Sequence, residues 1–142
     1  NDNFLKLRRE INFNRFVMFY HRVLCVPTAA TFFKRSIFET GNYLDTQYHY
    51  AMDFEFFLRL ASLGYRFQHL PELLADFRWH KESKSSLNPV VQFGERDRIL
   101  PLYSPILRRL ERTPFNKGAI ALLRGAAACR YWGEKFLRGY YF

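Results

Sequence analysis

Between Phe54 and Leu63 the apolar residues recur at helical spacing: Phe54, Phe57, Leu58 and Ala61 make one stripe, Phe56, Leu60 and Leu63 a second, and Gly64 supplies the stop. Two stripes on one short helix predict an element buried on most sides. Asp53 stands just before it, in the place of an N-cap, and Glu55 and Arg59 are spaced i to i+4, ready to pair on the little polar surface left. Upstream, residues 15–20 fit a short helix or a strand equally well, and Cys25 to Phe33 form an uncharged run broken by Pro27. Lys34 to Thr40 reads as a short amphipathic helix stopped at Gly41, and Gly41 to Tyr50 as a turn-rich aromatic loop. After Gly64, Tyr65 to Leu70 predicts a short strand ended by Pro71. Leu73 to His80 then alternates, with Leu73, Ala75, Phe77 and Trp79 on one face and Leu74, Asp76, Arg78 and His80 on the other. Lys81 to Ser86 is a polar loop without an apolar anchor.

Beyond Asn88 the pattern changes. Prolines at 89, 101, 105 and 114 separate three predicted helices, and no internal repeat is visible. Eight Lys and Arg against two Glu between Arg108 and Arg138 place six of the nine excess positive charges in this tail. Such a balance seeks something anionic: phosphate, nucleic acid or an acidic membrane surface. The tail has two readings, an amphipathic helix lying on a membrane interface or, the commoner arrangement, a docked helix hairpin with a basic outer face.

A length of 142 residues suits one domain with a real core but not two independent ones, and 49% hydrophobic with 25% charged residues excludes disorder. Arg or Lys interrupts every apolar run well short of the roughly 18 residues of a membrane span, and the polar first ten residues are no secretory signal. Two cysteines, Cys25 and Cys129, are too few for a disulfide scaffold or a thiolate metal site, so a reducing compartment is expected, with both thiols buried. The chain starts with Asn1 rather than Met and is expected to be a piece of a longer polypeptide.

The residues that could carry chemistry are few. Asp53 has an ordinary role as a helix cap and a sharper one as a general base. The two are compatible, because a carboxylate at a helix N-terminus is favoured in the ionised form a base requires. Asp53 and Glu55 make no paired-carboxylate site, since residues two apart on a helix diverge. Arg78 and His80 share a strand face roughly 7 Å apart, immediately ahead of a loop carrying Lys81, Ser83, Lys84 and Ser85. Their ordinary role is a solvated strand edge. Cations and hydroxyls gathered on a loop also suit a phosphate. His21, His49 and His69 show no ligand spacing with His80, which supplies at most one ligand to an ion held mainly by groups elsewhere. There is no glycine-rich phosphate loop and no nucleophile elbow.

Four blocks taken in order are Thr31-Phe32-Phe33-Lys34-Arg35, Gly41-Asn42-Tyr43-Leu44-Asp45, Tyr50-Ala51-Met52-Asp53 running on to Leu60, and Leu74-Ala75-Asp76-Phe77-Arg78-Trp79-His80-Lys81-Glu82-Ser83-Lys84-Ser85. Together they resemble the C-terminal half of family 2 glycosyltransferases, over about residues 25 to 86. The resemblance implies an α/β GT-A fold, of which this chain is the acceptor-side portion: residues 1–88 as the C-terminal part of the catalytic domain, without the nucleotide-binding half, and 89–142 as a helix-rich, basic extension. It implies inverting transfer from a nucleotide-sugar donor to a glycan or lipid-linked acceptor. Asp53 falls on the catalytic base, although Met52 replaces the usual acidic neighbour.

By the same resemblance Arg78, His80, Ser83, Lys84 and Ser85 close over the donor diphosphate, His80 reaches a divalent metal (Mg2+ or Mn2+), and Thr31, Phe32, Tyr50 and Met52 line the acceptor cleft. No Asp-x-Asp metal motif occurs in the sequence, so the ion is expected to be held mainly by residues outside this chain, which is expected to be inactive alone. The implied location is the cytoplasmic face of the membrane, in polysaccharide assembly, with peripheral contact through the basic tail. The alternative is a non-catalytic basic module gripping nucleic acid or an anionic membrane surface. The familiar nucleic-acid-binding signatures are missing, so no nucleic acid is expected.

Overall fold

The computed structural model describes residues 7–76, 88–112 and 116–140. Five α-helices are present among them: α1 (Ser36–Glu39), α2 (Met52–Ser62), α3 (Pro89–Tyr103), α4 (Pro105–Glu111) and α5 (Asn116–Leu137), preceded by a π-helical turn at Val17–His21 and a 3-10 turn at Thr28–Ala30. The architecture is helix-rich, as expected, but no β-strand occurs among the described residues, so the α/β character is not seen in them.

Helix α2 is the centre of the core. Phe54, Phe57 and Leu58 are fully buried and Phe56 and Leu60 nearly so, which realises the first predicted stripe and the second as far as Leu60; Leu63, at the C-cap, is exposed. They pack with Ile11, Val17, Met18, Ile99 and Leu100 in one cluster. Each such side chain stabilises the fold by about 1.5–3 kcal/mol relative to exposure. Around α2 the aromatic rings pack on one another: Phe33 stacks on Phe57 with centroids 5.9 Å apart, Phe38 stacks on Phe56 at 6.4 Å, and Phe57 meets Phe67 edge-on at 6.1 Å. The helix stops where Gly64 takes φ +87°, a left-handed conformation that costs glycine nothing. Tyr65 N–H then reaches back to the Leu60 carbonyl and Gly64 N–H to that of Ala61, and Gly41 ends α1 in the same way.

The strand predicted at 65–70 does not form. Tyr65, Phe67 and His69 are partly buried while Arg66, Gln68 and Leu70 are exposed, so the period of two is real. Phe67 stacks on Phe13 at 4.0 Å. A strand also needs a hydrogen-bonded partner, and none pairs with this segment among the described residues, nor with residues 73–76. The rest of the second predicted strand and the polar loop at 81–86 lie outside the described residues.

Residues 15–20, open to either reading in the sequence, are helical and end at Arg22, a non-glycine residue at φ +59°. That conformation is held from both sides. The Arg22 carbonyl accepts from Arg96 Nη1 at 2.7 Å, and Arg22 Nη1 donates to both oxygens of Asp97 at 2.7 and 2.9 Å.

Three helices follow Asn88, as the prolines suggested, but Pro101 lies inside α3 rather than between helices, while Pro89 and Pro105 occupy first turns. The last of them, α5, packs Ala127 and Tyr131 against the π-helical turn, with Ile120 and Leu123 alongside. Its cations are partly consumed within the fold: Arg124 lies 3.6 Å from Asp97 and Lys135 3.7 Å from the buried Glu10. Lys117, Arg124 and Arg130 stay exposed, but on the flanks of α5 and not on its outward face. That face is uncharged, and it carries Cys129, which is exposed where burial was predicted; Cys25 is buried.

Candidate functional site

Helix α2 begins two residues earlier than its apolar pattern suggests. Ala51 is the N-cap residue and has no side chain to offer, so Asp53 lies within the first turn instead of capping it. The amides ahead of the helix are satisfied from a distance. Glu95 of α3, itself buried, accepts from the backbone N–H groups of His49 at 3.2 Å, Tyr50 at 2.8 Å and Ala51 at 2.9 Å. Burial alone would raise the Glu95 pKa, but these three bonds outweigh it and hold the carboxyl below its ordinary value.

With Glu95 doing the capping, the Asp53 carboxylate is left at the surface of the helix start. Its Oδ1 accepts from the Phe54 N–H at 2.7 Å and its Oδ2 from the Thr28 hydroxyl at 3.4 Å. Thr28 comes from the 3-10 turn, so Asp53 stands where that turn meets α2. Both residues border a hollow of about 90 Å³ otherwise walled by Phe33, Phe38, Leu44, Phe56 and Phe57. A carboxylate and a hydroxyl thus share the rim of an aromatic slot. The larger hollow, about 290 Å³, is lined by Arg15, Phe16, Phe19, Tyr20 and residues 103–106 and contains no carboxylate. Acid–base chemistry favours the smaller one.

A cation packs on the first turn of α2. Arg96 lies 5.0 Å over the Phe54 ring and 5.6 Å over that of Phe93. Its pKa is lowered by burial, against the opposing pull of Asp53, and Arg22 lowers it further. Among the described residues Arg96 Nε is buried without a hydrogen-bond partner.

The other predicted site residues disperse. Thr31 donates its hydroxyl to the Pro27 carbonyl at 2.7 Å, Phe32 is 77% exposed, and neither lines the hollow. The 3-10 turn shifts the phase so that Thr28 and Phe33 line it instead. Tyr50 is pinned to α3, its hydroxyl accepting from Asn88 at 3.1 Å and its carbonyl from Gln92 at 3.2 Å. Met52 is partly buried in the first turn of α2, beside the hollow's lining and not part of it. Arg78, His80, Ser83, Lys84 and Ser85 lie outside the described residues.

No three His, Cys, Asp or Glu side chains converge among the described residues, so these alone do not make a divalent-ion site, and His80, the predicted ligand, lies outside them. Glu95, Arg96 and Thr28 were not singled out from the sequence. Glu95 and Arg96 sit in the run Glu95-Arg96-Asp97-Arg98, which looks like a solvated surface; the signal was phase, because Glu95 lies one turn before the buried Ile99. Comparison with family models, with curated proteins and with solved structures finds no match to this chain. No described helix is long and apolar enough to cross a membrane.

Proposed function

We propose that this chain is the acceptor-side, catalytic-base half of an inverting family 2 glycosyltransferase of GT-A type. The observation that carries the proposal is the placement of Asp53 at the rim of the aromatic hollow, beside the Thr28 hydroxyl, while Glu95 satisfies the amides of the N-cap residue and the two before it. A base needs a carboxylate within hydrogen-bond reach of the hydroxyl it deprotonates, and a wall that orients the substrate without competing for the proton. Asp53 takes the proton of an acceptor hydroxyl as that oxygen bonds to the anomeric carbon of the donor sugar. The bond from that carbon to the diphosphate breaks in the same step, with inversion, and the pair of electrons leaves with the nucleoside diphosphate. Thr28 holds Asp53 Oδ2 toward the hollow, and the four phenyl rings receive the apolar face of the acceptor.

The remaining roles rest on the resemblance in the sequence. Arg78, His80, Ser83, Lys84 and Ser85 would face the donor diphosphate, and the divalent ion would be held chiefly by residues of a nucleotide-binding half that this chain does not contain. The cytoplasmic side of the membrane is the corresponding location. Saturable, metal-dependent binding of a nucleoside diphosphate by the full-length protein tests this reading. Binding to any oligonucleotide with a steep salt dependence, and none to the nucleoside diphosphate, would replace it with the basic-module alternative.

A further inference from the structure

Helix α5 turns one face inward, through Ile120, Leu123, Ala127 and Tyr131, and leaves the opposite face in solvent. That outer face holds no charge at all. Leu122, Cys129 and Phe136 repeat every seven residues along it, Gly118, Ala121, Gly125, Trp132 and Gly133 share the face, and every one is exposed. Leu122 is 77%, Phe136 75% and Leu137 86% exposed, which is a large apolar outlay for one helix of a small protein. Cations border the strip: Lys117 and Arg130 stand exposed on its two sides, and Arg108, Arg109 and Arg112 precede the helix. The one acid of α5, Glu134, points away from the strip and is paired with Arg138 at 2.9 Å.

We infer that this face of α5 docks on an anionic lipid surface, the helix lying in the plane of the interface. The strip supplies the apolar side, Trp132 an aromatic group suited to headgroup depth, and the bordering cations the attraction to acidic lipid. The helix lies on the membrane and does not cross it, since it is too short of apolar residues to span. A second copy is a poorer occupant: pairing two strips would bring the bordering cations of a chain of net charge +9 against their own copies. This docking stands independently of the role given to Asp53.

The test is flotation of the full chain with phosphatidylcholine vesicles, with and without added phosphatidylglycerol, at low salt. The expected result is binding that requires phosphatidylglycerol. The double variant Leu122→Glu, Phe136→Glu should reduce it about tenfold or more, and Lys117→Glu, Arg130→Glu by a comparable factor, with circular dichroism unchanged. If either double variant folds poorly, Trp132 emission in the Trp79→Phe chain reads the same contact and should shift to the blue on anionic vesicles. Absence of vesicle binding, binding that the Leu122 and Phe136 substitutions leave intact, an unmoved Trp132 emission, or dimerisation through this face in place of lipid binding would each overturn the inference.

Discussion

Glu95 reaches across from α3 to accept the backbone N–H groups of Tyr50 and Ala51 at 2.8 and 2.9 Å, so the entrance to α2 is capped by a side chain 44 residues away from Ala51 in the sequence. This arrangement separates two tasks that the sequence had placed on one residue: Glu95 holds the helix start, and Asp53 is left beside the hollow.

Glu95→Gln is expected to lower stability by about 1.5–3 kcal/mol near neutral pH, the range for bonds to a charged acceptor. The sign with pH follows from the lowered pKa. The stabilisation is fully present above the unfolded glutamate value of about 4.3 and is lost as pH falls through the lower native value. Urea unfolding of both proteins across this range should show the gap closing in acid; a constant gap would show that the charge of Glu95 is not what holds the loop.

The first turn of α2 contains a second carboxylate, with a structural task. Glu55 is 2% exposed and accepts from Arg59 Nε at 2.9 Å and from the Tyr103 hydroxyl, and Arg59 also donates to the Tyr43 carbonyl. The i to i+4 pair expected on the surface is therefore internal. Arg59→Met should cost about 3–5 kcal/mol by stranding a buried charge. Adding Glu55→Gln should recover part of that loss, giving a coupling energy of about 1 kcal/mol or more in a double-mutant cycle. Strict additivity would show the two groups to be independent.

The two thiols should differ sharply in reactivity. Burial pushes the Cys25 thiol up to about 12, whereas Cys129 is exposed on α5. One thiol per chain should react promptly with Ellman's reagent in the native state and the second only on unfolding. Two fast thiols would contradict the packing of Cys25.

What could be read in the sequence was whatever depended on local spacing. The two stripes of α2, the stops at Gly41 and Gly64, the Glu55–Arg59 pair and the three helices after Asn88 all follow from periodicity and turn chemistry over a few residues. What could not be read depended on distant partners. The alternation at 65–70 was real, but a strand is made by its neighbour. The expected cap at Asp53 was displaced by Glu95, and the hollow was assembled from Thr28 and Phe33 because a 3-10 turn moved the phase past Thr31 and Phe32. Two cations of α5, Arg124 and Lys135, find Asp97 and Glu10, partners too distant in the sequence for local spacing to show.

The role proposed for Asp53 is tested most directly by Asp53→Asn in the full-length protein, followed as release of nucleoside diphosphate in the presence of acceptor. Transfer should fall by about 10²–10⁴-fold, the contribution of a general base, while nucleoside diphosphate affinity and melting temperature stay at the wild-type values because Glu95 carries the cap. Wild-type turnover by the Asn variant would contradict the account.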